Sequence, residues 1–451
     1  MRKPNILLIR LDGAQGRPYF ENILRVRNLR KLMENGILFT NCYSVSTISH
    51  PSQTSIDTGV FPHKHGIIGN NIADGFNFNI NKNLKPLPYF LKKIGYLTGK
   101  TGQGNGNDKN YDIDLTIPYF KFSENLKKIG YKEETIPEKT FKYCGRLPYN
   151  IEYTRDAVYA KNTIKIIEKF SKQKSPWFVY CSFDGPHPPC KITYPFDEIH
   201  KNQHIKLPSN WDLKLEEKPN YYKLWKKITN FEGDLSETDL KILIIHYLGF
   251  LEMIDEVFGW IIEKIENLNM ISNTLIIFTS DHGSMIGNFG IVYHGGPILC
   301  DDALKVPLFI FYGENFQKKE INNFVSTVDI LPTILDICNI KLPEYLDGKS
   351  LLPLIENKVN HWRENILFQW NSDGKLFYTL RGIRNKKFKF IYSPFGDCEI
   401  YDMENDPFET KSLEKLNIPE INELKKELVE YLKKTNDPIY EIAKKDLLNG
   451  G

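Results

Sequence analysis

The chain has 451 residues, 41% of them hydrophobic and 25% charged, with a formal net charge of +3 at pH 7. This is a globular composition, and the charge is too small to argue for nucleic acid or an anionic membrane as a partner. The length exceeds an ordinary single domain and predicts one large core with a smaller appendage.

The first predicted element is the apolar run NILLI within MRKPNILLIRLDG, which reads as a buried strand. It is far shorter than the roughly 18–20 apolar residues of a membrane span, too short for a signal-peptide core, and no later run approaches that length. A helix is expected over 27–35. PWFVYCSF (176–183), NTLIIFTS (273–280) and VPLFIFY (306–312) each read as a buried parallel strand. Between them, helices are expected over 156–172 and 240–267, the second with Leu243, Ile244, Tyr247, Phe250, Leu251 and Ile254 on one stripe. Residues 201–239 are polar, aromatic-rich and weakly periodic, as in an insertion near a substrate entrance. The alternation predicts an α/β fold over 1–360, a three-layer sandwich with a large, mostly parallel sheet flanked by helices. Beyond that point LFYTLRGIRNKKFKFIYSP and DCEIYDMENDP read as short antiparallel strands, followed by a helix over 419–434. A small C-terminal α+β subdomain is therefore expected over 361–451. Seven scattered cysteines, odd in number and without a CxxC pair, predict reduced thiols and a cytoplasmic location.

Chemistry-bearing residues cluster at predicted strand ends, where open α/β sheets gather their ligands. Asp12 closes the first strand, and Asp281 and His282 follow NTLIIFTS. One hard oxygen beside one imidazole nitrogen suits Mn²⁺ or Zn²⁺ better than Ca²⁺. Taken alone, Asp12 is as readily a turn cap, and a lone Asp-His is weak. Ser49 lies in SVSTISHPSQTSIDTGVFPHKHG without an evident general base. Coordination of its Oγ to a metal would activate it without one. His63 and His65 of PHKHG read as loop-ordering residues rather than ligands. His187, within PHPP, is suited to protonate a leaving group or hold an anionic oxygen, or else it serves a rigid loop. His294, before two glycines, reads equally as an anion contact, a ligand of a second metal, or a histidine in a turn. GYLTGKTGQG contains GKT, but the earlier glycine that a phosphate-binding P-loop needs is replaced by Ile94, which excludes an NTPase.

In their order along nearly the whole chain, these segments resemble the sulfatase family of the alkaline phosphatase superfamily. NILLIRLDG is similar to its first metal-binding strand, and SHPSQTSIDTGVFPHKHG to its signature. FDGPHPP, NTLIIFTSDHG, VSTVDILPTILDI, DGKSLLPLI and KFKFIY with EIYDMENDPFE resemble its later blocks. The resemblance implies a divalent metal (Ca, Mn or Zn) on Asp12, Ser49, Asp281 and His282, with Ser49, or formylglycine made from it, as nucleophile. It implies that Asn70 contacts a non-bridging oxygen and that His187 binds the anion or acts as acid. The substrate would be a small anionic ester.

Several departures are visible. Gln53 stands where the family has arginine, and Gly13 where it has a second aspartate. Gln103 and Asn105 replace the Lys and His of its GK-x-H block, and His294 takes the place of a lysine. With three cations gone from the anion site, sulfuric-ester hydrolysis competes with phosphodiester, phosphomonoester or phosphonate hydrolysis by unmodified Ser49. A silent, anion-binding descendant is the third reading. Neither a membrane nor a nucleic acid is implied, and a homo-oligomer is compatible with the sequence.

Overall fold

A computed structural model describes all residues except 1, 2, 22, 71–79, 105–110, 118–125, 132–142, 230–234, 374, 375, 415, 417 and 449–451. Its main sheet contains β1 (Asn5–Asp12), β2 (Gly36–Tyr43), β3 (Leu97–Gly102), β4 (Leu115–Ile117), β6 (Trp177–Pro186) and β8 (Thr274–Ser280). β11 (Lys305–Tyr312), β12 (Lys319–Ile321) and β13 (Val325–Ser326) complete it. The order is β12-β2-β11-β8-β1-β6-β3-β4, with β13 also on β2. β5 (Cys144–Arg146) pairs with β7 (Cys190–Ile192), and β9 (Ser284–Ile286) with β10 (Val292–His294).

β1 is central and buried along its whole length. Strand alternation sends Leu7, Ile9 and Leu11 to one face, against helices Arg155–Ser171 and Glu237–Asn267. Ile6 and Leu8 face the other way, toward Ile56 of helix Ser49–Thr58 and Leu331 of helix Ile330–Ile337. Two apolar clusters on opposite faces of one sheet make the three layers that the alternation predicts. Within the stripe on the long helix, Leu243, Tyr247, Phe250, Leu251 and Ile254 are buried, and Ile244 is half-buried.

One strand runs against expectation. β11 is antiparallel to both β8 and β2, whereas the other pairings of the main sheet are parallel. After β8 the chain stays at the same edge of the sheet, forms the β9–β10 hairpin and re-enters without a crossover helix. It must then run back alongside β8. β2 was absent from the sequence reading, and so was β3. The GKT of residues 99–101 lies within β3 as extended backbone, so it forms no phosphate loop.

The second sheet is antiparallel, in the order β14 (Ile366–Ser372), β15 (Phe377–Arg384), β16 (Phe388–Tyr392) and β17 (Glu399–Asp402). Helices Pro419–Lys434 and Tyr440–Leu448 cover it. Buried Lys389 bridges it to the main body through Asp301 and also pairs with Glu409, both at 2.7 Å, and Arg384 pairs with Asp301 as well. All seven cysteines are free. Among the described residues, no helix is long and apolar enough to cross a membrane.

Candidate active site

β1 and β8 are parallel neighbours, with Leu11 opposite Ser280, so Asp12 and Asp281 emerge side by side at their carboxyl ends. The Asp281 carboxylate is held by three donors: the N–H of Gly13 (3.2 Å), the N–H of His282 (2.7 Å) and the Gln53 side-chain amide (2.7 Å). His282 Nδ1 donates to the Gly283 carbonyl at 2.7 Å, which leaves the Nε2 lone pair facing the site. Gly13 has φ +78°, and a Cβ there would lie 2.4 Å from Ser284 Oγ. An aspartate at position 13 would be strained in this backbone and would have to displace Ser284 Oγ.

Ser49 opens helix Ser49–Thr58, after extended Ile48. Pro51 fits the first turn because amides there need no intrahelical partner. Ser49 Oγ lies 3.0 Å from His282 Nε2 and 3.5 Å from Asp12 Oδ1. The positive end of the helix therefore faces the same point as the two carboxylates. Asn70 Oδ1 accepts the His50 N–H at 2.9 Å, so its NH₂ group is what it can offer a ligand. Gln53 donates to Gln103 at 3.3 Å as well as to Asp281. Gly102 (φ +88°) lets β3 close on β6, and the Gln103 N–H donates to the Ser182 carbonyl at 2.9 Å.

His187 Nδ1 is 2.6 Å from the Pro188 carbonyl, and its ring lies 6.2 Å from that of His294. His294 in turn lies 6.0 Å from the His282 ring. Trp225, in helix Asn220–Thr229 of the predicted insertion, packs on His294 at 5.3 Å and donates to its carbonyl. Asn105 lies outside the described residues. His65 is buried, accepts the Ile67 N–H and contacts Ser55 Oγ and the Pro51 carbonyl; burial pushes it down to about 3. His63 contacts Gln369 and Asp437, so both histidines of PHKHG order backbone and loops.

Ligand atoms of Asp12, Asp281 and His282 lie within 4.8 Å of one another, the one such grouping of three among the described residues. His294 is not part of it. Asp12 is 1% exposed, and its Oδ2 has no hydrogen-bond partner there. Burial and then Asp281 push the Asp12 carboxyl up to about 6. Two buried carboxylates and an imidazole lone pair with an unsatisfied oxygen fit a divalent cation.

The sequence reading missed a buried cation layer beneath these acids. Arg10, on the same strand face as Asp12, is fully buried, donates to Ser182 Oγ (2.9 and 3.2 Å) and lies 4.8 Å over the Tyr180 ring. Lys100 sits 5.4 Å over the same ring. The signal was present: a charged residue inside the run ILLIRLD belongs to a strand buried on both faces only if it is paired. Arg10→Met is expected to destabilise the metal-free chain by about 1–3 kcal/mol, read from urea unfolding, because it removes the donor to Ser182 and leaves the charge of Asp12 and Asp281 less offset. A loss below about 1 kcal/mol would remove Arg10 from this account.

A cavity of about 720 Å³ adjoins the site and shares Gln103 and His187 with it. Asp156 and Asp184 line it; Asp156 Oδ1 accepts the N–H groups of Asp184 and Gly185. Burial and then Asp184 push Asp156 up to about 7 from an ordinary 3.8. The folded chain thus keeps a proton that the unfolded chain releases near pH 4, and this group's ionisation removes stability as pH rises from about 4 to 7. Asp156→Asn should flatten that fall, so its Tm relative to wild type rises from pH 5 to pH 8. Parallel Tm curves would overturn the assignment.

The fold and the comparisons together place the chain among hydrolases that act on ester bonds. It belongs to the sulfatase family, whose profile matches residues 4–340. A second match, described as N-sulphoglucosamine sulphohydrolase, C-terminal, covers residues 292–437. The uncharacterized sulfatase YidJ of Escherichia coli K12 is 25% identical over 459 residues, which span 97% of this chain and 89% of the relative. The phosphonate monoester hydrolase of Silicibacter pomeroyi superposes with a TM-score of 0.81 at 17% identity, covering 96% of each chain. A structure in complex with its substrate D-glucosamine-2-N,6-O-disulfate superposes with a TM-score of 0.76 at 19% identity, covering 99% of each. At these identities the structural likeness speaks for the fold.

Proposed function

We propose that the chain is a metal-dependent hydrolase of sulfuric esters in which Ser49, or formylglycine derived from it, attacks sulfur in line. The observation that carries this is the placement of Ser49 Oγ beside Asp12 and His282 at a helix N-terminus. Asp12, Asp281, His282 and Ser49 would hold the cation, which when bound lowers the nucleophile's pKa and offsets charge on the anion. The Asn70 amide and the helix N-terminus hold non-bridging oxygens, and Gln53 and Gln103 complete a neutral amide wall. His187, with Nε2 turned from its Pro188 contact, supplies the proton to the leaving oxygen; His294 lies next to it as a second donor.

A second reading, phosphonate or phosphate-ester hydrolysis by unmodified Ser49, is favoured by one observation. Gln53 donates to Asp281 where the family pattern has a cation, so the anion meets fewer fixed charges. We read residues 361–451 as a C-terminal subdomain, supported by the separate four-stranded sheet from Ile366. The free cysteines support a reducing, cytoplasmic compartment.

The test pairs the mass of the Ser49 peptide with assays on p-nitrophenyl sulfate, p-nitrophenyl phosphate and phenyl p-nitrophenyl phosphonate, before and after chelation. Loss of two hydrogens at Ser49, with metal-dependent sulfate turnover, is the expected result. Unmodified Ser49 turning over only phosphorus esters would establish the second reading. Activity untouched by chelation would remove the metal from the mechanism.

A further inference from the structure

The cavity beside the site has a directional chemistry. Its wall combines the end of β3, the start of helix Arg155–Ser171 and strand β7. Alternation along β7 buries Cys190 and Ile192 completely in the core and turns Lys191 to the cavity. Two cations line this space. Arg155 is committed to Asp184 at 3.3 Å. The Lys191 ammonium has no hydrogen bond or ion pair among the described residues, and it is half-buried. The acids opposite are already engaged, Asp156 by two backbone N–H groups and Asp184 by Arg155 and Tyr159. Burial raises the carboxyl groups of both Asp156 and Asp184.

Phe250, Met253, Pro188 and Leu147 supply apolar contact, and Tyr149 and Thr154 supply hydroxyls. At about 720 Å³ the space takes a ring-sized group rather than a bare anion. His187, the proton donor proposed for the leaving oxygen, stands at the border between the two chambers. We propose that this cavity receives the leaving group of the ester and that Lys191 pairs with a second anionic group on it, a carboxylate or a sulfate-type oxyanion. This rests on the ester-hydrolase reading of the Ser49 site, and goes beyond it by naming the substrate class: esters whose alcohol half is itself anionic.

The test compares 4-nitrophenyl sulfate with its 2-carboxy and 2-sulfo counterparts, on wild type, Lys191→Met and Lys191→Arg. Wild type should show KM lower by about tenfold for at least one anionic counterpart. Lys191→Met should erase that preference, bringing KM for the anionic counterparts to that for 4-nitrophenyl sulfate, and Lys191→Arg should retain most of it. The two anionic substrates separate a carboxylate-selective from a sulfonate-selective subsite. Equal KM values in wild type, or a preference that survives Lys191→Met, would overturn the proposal. If none of the three esters turns over, the reading of the Ser49 site has failed and calorimetry on the leaving groups decides separately. Tighter binding of 2-hydroxy-5-nitrobenzoate than of 4-nitrophenol, lost in Lys191→Met, supports the subsite; equal binding overturns it.

Discussion

Ser49→Ala is expected to lower kcat by at least about a thousandfold on whichever ester the wild type cleaves, while the chain stays folded. The reason lies in what Ser49 touches. Among the described side chains its Oγ hydrogen-bonds with His282 Nε2 and Asp12 Oδ1, so Ser49→Ala deletes the proposed attacking atom and no hydrogen bond outside the site. The first turn of its helix is held by Asn70 on the His50 N–H and by the Ser52–Ser44 hydroxyl contact, neither of which needs the Ser49 side chain. Circular dichroism and Tm should therefore match wild type, and only turnover should change. A variant that keeps more than about a tenth of wild-type kcat would mean that a different group attacks.

Asp281→Asn should be nearly as damaging, through a different route. The carboxylate accepts from Gly13, His282 and Gln53, and contributes one of the two negative charges opposite any cation. An asparagine keeps the shape but turns an NH₂ group toward donors that need an acceptor, and it removes a full charge from the cluster. After dialysis the variant should retain no more than about a tenth of the divalent metal bound by wild type, and kcat/KM should fall at least about a hundredfold. Elemental analysis read beside the kinetics separates the causes. Full metal content with lost activity would show that Asp281 acts on the reaction and not on the cation.

Much of this arrangement was legible before any coordinates. Asp12 and Asp281 each follow a largely apolar run, and a buried parallel strand delivers the residues at its carboxyl end to the ligand-binding edge whatever the rest of the fold does. The direction of β11 was not legible, because periodicity records which faces of a strand are buried and not which way the chain enters. The connection from β8 sets that direction, and its length is visible in sequence while its path is not. β2 escaped notice because Thr40 and Asn41 interrupt GILFTNCY near the sheet's edge, where half-burial is tolerated. The absence of an aspartate at position 13 could be seen but not explained; Ser284, some 270 residues away in sequence, occupies the space. Lys191 was invisible for the same kind of reason. One lysine among 59 basic residues carries no signal until β7 shows which way it points.

The neutral wall proposed for Gln53 and Gln103 also bears on how the catalytic cycle would end. A site that grips an oxyanion with guanidinium and ammonium groups binds the freed inorganic anion by the same contacts, and that anion then competes with the next substrate. Here the amide of Gln53 is already spent on Asp281, and amides hold a dianion less firmly than cations do. The inorganic ion should leave readily, so the chain would work on in surroundings where sulfate or phosphate has accumulated, with weak product inhibition as the sign of an anion site without an arginine.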